Sequence, residues 1–135
     1  MKKQKKILSW LYVILWCGII FFFSSIPYLR IEELGFWDFI LRKISHITEY
    51  AVLSILLVNA LFVSICFKKS NIYLLSFVLG VLYAISDEIH QYFVPGRFFS
   101  IVDILIDSIG VTIGIVLWDR FLRFKFYKNT KNLEK

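Results

Sequence analysis

Apolar residues dominate four stretches of the chain, and short polar segments separate them. The stretches cover residues 7–26, 44–67, 72–93 and 98–118, and each is close to the roughly 20 residues that a helix needs to cross the hydrocarbon core of a bilayer. Strands with open edges would leave backbone groups without partners in hydrocarbon, so each stretch is predicted to be a helix. The pattern predicts an all-α integral membrane four-helix bundle, forming one domain over residues 1–135.

The composition supports the membrane interpretation. The chain is 59% hydrophobic and 19% aromatic, whereas about 45–50% of a soluble domain is apolar. Four lysines precede the first stretch, as they would in a secretory signal, but the apolar region of a signal is only about 7–15 residues long. We therefore interpret residues 7–26 as a retained span.

The basic residues predict the orientation of the bundle. Twelve of the 16 lysines and arginines lie in the N-terminal tail, at Lys68-Lys69 and after residue 118. With four spans these segments share one side of the membrane, and the positive-inside rule places both termini in the cytoplasm. Anionic headgroups then account for the net charge of +6, and no nucleic acid partner is expected. The remaining four cations are Arg30, Arg42, Lys43 and Arg97.

Polar and charged side chains begin the second span, end the third and begin the fourth. Three separate parts of the sequence are thus predicted to converge at one depth, on the extracytoplasmic side. Ionisable groups inside membrane-length segments are costly and normally mark a functional site or pathway. The residues are Lys43, His46 and Glu49; Asp87, Glu88, His90 and Gln91; and Ser100, Asp103 and Asp107, with Arg97 in a turn after Pro95-Gly96.

Helical phase groups the polar residues of the fourth span with two glycines. Ser100, Asp103, Asp107, Gly110 and Gly114 fall within an arc of roughly 80°. The glycines would let a neighbouring helix approach closely, and the same stripe would carry the two carboxylates to that helix. We predict that polar faces of three helices meet around a common, partly hydrated cavity.

Each of these residues also has a purely structural interpretation. His46 and Glu49 could form a solvated i,i+3 pair, and Lys43 could extend its ammonium group to the interface. Arg97 could anchor to headgroups or pair with the acids. A structural ion-pair network that holds the helices together would explain much of the pattern without any chemistry. Cys17 is predicted to form neither a disulfide nor a metal site, and the same holds for Cys66.

Several spaced motifs match a known pattern when they are taken together. They are Lys43-Ile-Ser-His46-Ile-Thr-Glu49-Tyr50, Ser86-Asp87-Glu88-Ile-His90-Gln91, Pro95-Gly96-Arg97, and Ser100, Asp103 and Gly110. Between about Phe22 and Trp118 the chain resembles the VanZ-like family of small bacterial membrane proteins, with one departure: the family usually carries Asn where this chain has Asp107. The resemblance implies a multi-pass protein of the bacterial cytoplasmic membrane and, through the family's namesake, a link to teicoplanin resistance.

Three functional hypotheses follow. In the first, the cavity binds a membrane lipid, a lipid-linked cell-wall intermediate or a lipoglycopeptide, with cations contacting anionic groups and acids orienting the cations. The residues assigned to ligand binding are Lys43, Gln91, Arg97, Ser100, Asp103 and Asp107.

In the second hypothesis the chain is a hydrolase of a lipid-linked substrate. Glu49 or Glu88 would serve as general base and His46 as proton shuttle, and Asp87 completes the residues assigned to catalysis. A His/Asp/Glu set could also hold a divalent metal, but spacing alone assigns no metal ligand and identifies no cofactor. In the third hypothesis the protein is a scaffold for a partner membrane enzyme. The sequence determines neither the ligand nor the oligomeric state.

Overall fold

A computed structural model describes the backbone of residues 2–27 and 35–133 and the side chains of residues 3–27 and 35–122. The described residues form four helices, and each is long and apolar enough to cross a membrane. No strand occurs in the described ranges, so the predicted all-α membrane bundle is confirmed. The helices are α1 (Lys2–Ser24), α2 (Phe36–Ser64), α3 (Lys69–Tyr92) and α4 (Ile101–Leu133). Arg30 lies outside the described residues.

The helix boundaries differ from the predicted spans because helices continue past the apolar residues. The second helix begins at Phe36 rather than at residue 44. Its first two turns contain an i,i+4 ion pair of 3.0 Å between Arg42 and Asp38. Because these charged residues lower the hydropathy of the segment, a span predicted from hydropathy begins after them. In the same way, α1 begins in the lysine-rich tail and α4 continues well beyond residue 118, since lysine and arginine are good helix formers.

The start of α4 was predicted three residues too early. Phe98 and Phe99 precede the helix, and Ser100 caps it, because the Ser100 hydroxyl accepts a hydrogen bond of 3.2 Å from the Asp103 N–H. A serine in this position satisfies an N–H group that the helix itself leaves unpaired. Other differences are an end of α2 at Ser64 rather than 67 and bounds of 69–92 rather than 72–93 for α3, and none exceeds three residues.

The helices run alternately up and down, so α1 is parallel to α3 and α2 is parallel to α4. At one end, Lys6 of α1 donates to the Ser64 carbonyl of α2 (2.9 Å), and Tyr73 of α3 donates to Asp119 of α4 (2.9 Å). The other end, which we call the site end, joins the end of α1, the start of α2, the end of α3 and the start of α4. The cytoplasmic location of the termini stays a prediction.

The core is narrow and the outer surface is apolar. Ile20, Tyr50, Leu53 and Val111 are fully buried between the helices. Large apolar side chains on all four helices are exposed, as expected for a surface that faces lipid; examples are Ile14, Leu74, Ile89 and Leu105. The polar residues at the site end therefore lie inside an apolar shell.

Candidate functional site

The glycine stripe of α4 packs directly on α2. A Cβ atom at Gly110 would lie 2.5 Å from the Ile47 carbonyl oxygen, and one at Gly114 would overlap the Ala51 carbonyl and the Ser54 hydroxyl. Only glycine permits this approach of two helix backbones. The predicted seam is confirmed, and its partner is α2.

The same stripe brings both α4 carboxylates to cations or donors on α2. Lys43 forms an ion pair with Asp103, and His46 Nδ1 lies 3.0 Å from Asp107 Oδ1. The Asp107 side chain is completely buried, whereas that of His46 is 15% exposed. These contacts place the predicted α2 and α4 residues on facing helix surfaces.

The end of α3 is tied to α1 by a hydrogen-bonded cluster. Asp87 Oδ1 accepts a hydrogen bond of 2.6 Å from the Ser24 hydroxyl, and Asp87 Oδ2 accepts one of 2.9 Å from the Gln91 amide. The Gln91 amide also donates to Ser24 Oγ at 3.0 Å. Both Asp87 oxygens are therefore occupied by neutral donors, which favours a positioning role for this carboxylate. Its assignment to catalysis stays a prediction.

Arg97 connects the turn after α3 to the end of α1. Its guanidinium donates to the carbonyls of Phe23 (2.9 Å) and Ile26 (3.2 Å) and to Gln91 Oε1 (3.2 Å). A cation at a helix C-terminus satisfies carbonyls that the helix leaves unpaired. Partial burial lowers the pKa of Arg97, and the charge of Asp87 opposes that shift. Arg97 was predicted either to anchor to headgroups or to pair with the acids. These contacts fit neither role fully, because the guanidinium donates to two backbone carbonyls and to a side-chain amide.

The turn before Arg97 requires a glycine. Gly96 has a φ of 78°, which lies in the left-handed region that side chains with a Cβ disfavour. The backbone can therefore reverse within a few residues of α3 and direct Arg97 back towards α1.

Glu88 points into the bundle and His90 does not. The Glu88 side chain is fully buried, and its Oε2 accepts a hydrogen bond of 2.8 Å from the Ser100 N–H. His90 instead lies 3.0 Å from the Ser25 hydroxyl and stacks on Phe21, with ring centroids 4.3 Å apart. Glu88 thus joins the site through α4, while His90 belongs to the contact with α1.

Two adjoining cavities open at the site end. The first, of about 250 Å³, lies between α2 and the segment after α3. The second, of about 350 Å³, extends towards α1 and includes Glu49 in its wall. Residues common to both walls are Arg42, His46, Gln91 and Arg97. The predicted polar cavity is therefore present, and α1 forms a fourth wall in addition to the three helices expected.

Among the cavity residues that the sequence prediction did not assign are Ser24 and Arg42. Ser24 was missed because a serine near a span end is common, although the pair Ser24-Ser25 before Pro27 was the available signal. Arg42 was treated only as a charge that sets the orientation. Its neighbour Lys43 was assigned, and the start of α2 at Phe36 places both on the same helix.

Comparison with known proteins identifies the family. Searches of curated proteins and of solved structures found no match. A family model described as VanZ/LLP1 matches residues 9–123. This range covers most of the chain, including the greater part of each of the four helices and every assigned site residue. The chain therefore belongs to the VanZ/LLP1 family of membrane proteins.

Proposed function

We propose that this protein binds the phosphate-bearing headgroup of a membrane lipid or of a lipid-linked cell-wall intermediate at its site end. The first cavity carries this proposal, because its wall combines the cations Arg42, Lys43 and Arg97 with the rings of Phe39 and Phe98. Guanidinium and ammonium groups bind phosphate oxygens by charge-assisted hydrogen bonds. The two phenyl rings are exposed and offer apolar contact to the adjoining lipid chain.

The internal acids hold the cations in position for such a ligand. Asp38 pairs with Arg42 and Asp103 pairs with Lys43, so both cations are placed at the cavity without a ligand. A phosphate would share these donors with the carboxylates. The second cavity includes Ile20, Phe23 and Ile26 in its wall, and it would accept the first carbons of the lipid chain.

In the cell we place this binding in the bacterial cytoplasmic membrane, with the site end facing outward. The distribution of basic residues supports this orientation, and the four apolar helices together with the family membership support a multi-pass membrane protein. Lipoglycopeptides such as teicoplanin act on the outer surface and carry a lipid tail. Competition for the same headgroups, or capture of that tail, would link the cavity to resistance.

Lipid binding is tested with the purified full-length protein in nanodiscs of phosphatidylcholine. Fluorescent phosphatidylglycerol and a fluorescent polyprenyl phosphate are titrated separately, which distinguishes a bulk phospholipid from a lipid-linked carrier. The double variant Arg42→Gln/Lys43→Gln is expected to lose at least about tenfold in affinity, since a charge-assisted hydrogen bond contributes about 1.5–3 kcal/mol and 1.4 kcal/mol is tenfold.

A charge-matched control removes two cations from the opposite end of the bundle. Lys68→Gln/Lys69→Gln changes the net charge equally but lies far from the cavities, so it should bind the probes as the unmodified protein does. Equal losses in both double variants would show nonspecific attraction. Unmodified protein that does not prefer phosphate lipids to phosphatidylcholine would refute the proposal.

Acid–base hydrolysis of a lipid-linked substrate is a second candidate, favoured by the position of Glu49. This carboxylate is partly exposed in the second cavity, beside His46, which borders both cavities. A carboxylate that water can reach is placed to act as a general base. Release of inorganic phosphate from a polyprenyl phosphate, lost in Glu49→Gln at unchanged binding, would support catalysis. If the unmodified protein released no inorganic phosphate, polyprenyl phosphate would be excluded as its substrate.

A further inference from the structure

Three side chains that the phosphate proposal does not use converge below the cavities. His46 comes from α2, Glu88 from α3 and Asp107 from α4. One potential ligand atom from each lies within 4.8 Å of the other two. Both carboxylate side chains are fully buried, whereas His46 reaches the cavity walls. His46 therefore links the cluster to the cavities, and the two carboxylates lie inside the bundle.

Each buried carboxylate has one oxygen held by the protein and one without a partner. Ser100 N–H binds Glu88 Oε2 at 2.8 Å, and His46 Nδ1 lies 3.0 Å from Asp107 Oδ1. Glu88 Oε1 and Asp107 Oδ2 have no hydrogen-bond partner among the described residues. Two buried anions with unsatisfied oxygens are strongly unfavourable unless a cation or a proton compensates them.

We propose that His46, Glu88 and Asp107 bind one divalent cation of the zinc or manganese class. An imidazole nitrogen and two carboxylate oxygens are ligands for these ions. The two carboxylates would neutralise the dication with His46 uncharged. Neither cysteine is in the cluster, so thiolate coordination is not part of the site.

To bind a metal, the three ligand atoms need only move closer together. Ligand atoms about 2.0–2.2 Å from a metal lie roughly 3–3.5 Å from one another, compared with separations of up to 4.8 Å here. Small side-chain rotations can supply this change, because the unpartnered oxygens form no hydrogen bond with the described residues that would have to break. The Ser100 N–H orients Glu88 through its second oxygen, as outer hydrogen bonds orient metal ligands generally. Water can complete the coordination from the cavity side.

The first experiment measures metal content and affinity in the purified full-length protein. The protein is stripped with a chelator in detergent and titrated with Zn²⁺, Mn²⁺ and Mg²⁺ by calorimetry, and elemental analysis after dialysis gives the stoichiometry. One equivalent of Zn²⁺ or Mn²⁺ is expected, with weaker Mg²⁺ binding because of the imidazole ligand. X-ray absorption on the loaded protein should show nitrogen and oxygen ligands at about 2.0–2.2 Å.

Matched variants distinguish this site from surface binding. Glu88→Gln and Asp107→Asn preserve side-chain size and should each weaken binding at least tenfold, as should His46→Gln. His90→Gln removes the other histidine at the site end, and Asp119→Asn removes an acid at the opposite end; both should bind normally. Retained monodispersity on size exclusion and unchanged helical circular dichroism identify the variants that fold.

Two results of the titrations would each overturn the metal site, and one spectroscopic result would replace it with a shared proton. One is the absence of stoichiometric metal on titration, and the other is unchanged affinity in folded Glu88→Gln and Asp107→Asn. An infrared band of a protonated carboxylic acid, persisting at saturating metal and lost in Glu88→Gln, would show that a shared proton compensates the two acids instead. Lipid binding in the phosphatidylcholine nanodiscs depends on other residues, so failure of either proposal leaves the other separately measurable.

Discussion

Replacing Gly110 by alanine tests the close approach of α4 to α2. The added Cβ would lie 2.5 Å from the Ile47 carbonyl oxygen and 3.0 Å from Ile47 Cα, whereas ordinary contacts begin at 3.4 Å. The obstructing atoms are backbone, so relief requires the two helices to separate by about 1 Å. Gly18 is the matched control, because a Cβ there meets nothing within 4 Å.

The magnitude follows from comparing the two alanine variants. Both gain about 1 kcal/mol of helix propensity, so their difference isolates the overpacking, which costs about 1–3 kcal/mol. For a domain of this size, 1 kcal/mol corresponds to about 4 °C in Tm. Gly110→Ala should therefore unfold about 4–12 °C below Gly18→Ala. The same separation would stretch the 3.0 Å contact between His46 and Asp107 beyond hydrogen-bonding distance.

The assay is thermal unfolding in one detergent at one scan rate, followed by near-ultraviolet circular dichroism. A fixed scan rate matters because the unfolding of membrane proteins is often irreversible, and the midpoint then depends on it. Equal midpoints for the two variants would refute the packing argument, since they would show that α2 and α4 are not in backbone contact at Gly110.

Two further predictions concern a buried hydroxyl and the orientation of the bundle. The Tyr50 hydroxyl is buried without a partner among the described residues, so Tyr50→Phe should raise the stability or leave it unchanged. Tyr83→Phe should lower the stability by about 0.5–1.5 kcal/mol, because it loses a 2.7 Å hydrogen bond to the Cys17 carbonyl. A larger loss of stability in Tyr50→Phe than in Tyr83→Phe would contradict this. Cys66 is exposed after α2, at the end opposite the site, so a membrane-impermeant maleimide should label it only after cells are permeabilised, while Phe98→Cys should react in intact cells. The reverse labelling pattern would show that the bundle has the opposite orientation in the membrane.

Much of the fold could be predicted from the sequence because a bilayer permits few solutions. Four apolar stretches and the need to pair every backbone group lead directly to four helices. The stripe ending in Gly110 and Gly114 was visible as a helical phase, and it does face α2. The starts of the helices were harder to predict. The Asp38–Arg42 ion pair lies in helical turns that are too polar to be recognised from hydropathy.

The site was only partly predictable because its decisive contacts are tertiary. The spacing of Asp103 and Asp107 showed that they share a face, but their partners Lys43 and His46 follow from how α2 is placed along α4. Glu88 and His90 are two residues apart, and the sequence alone did not show which neighbouring helix each side chain meets. The packing of α3 then buries the first against α4 and directs the second to α1.

The hydrogen bond from the Ser100 N–H to Glu88 bears on how the protein is assembled in the membrane. In a local capping box the acid that binds the N-cap N–H lies three residues later in the same helix, but here it comes from the preceding helix, twelve residues earlier. The first turn of α4 is thus completed only when α3 already lies beside it. This bond therefore ties α3 and α4 together as a hairpin across the turn that joins them, and we expect Glu88→Gln to weaken the start of α4 as well as the site.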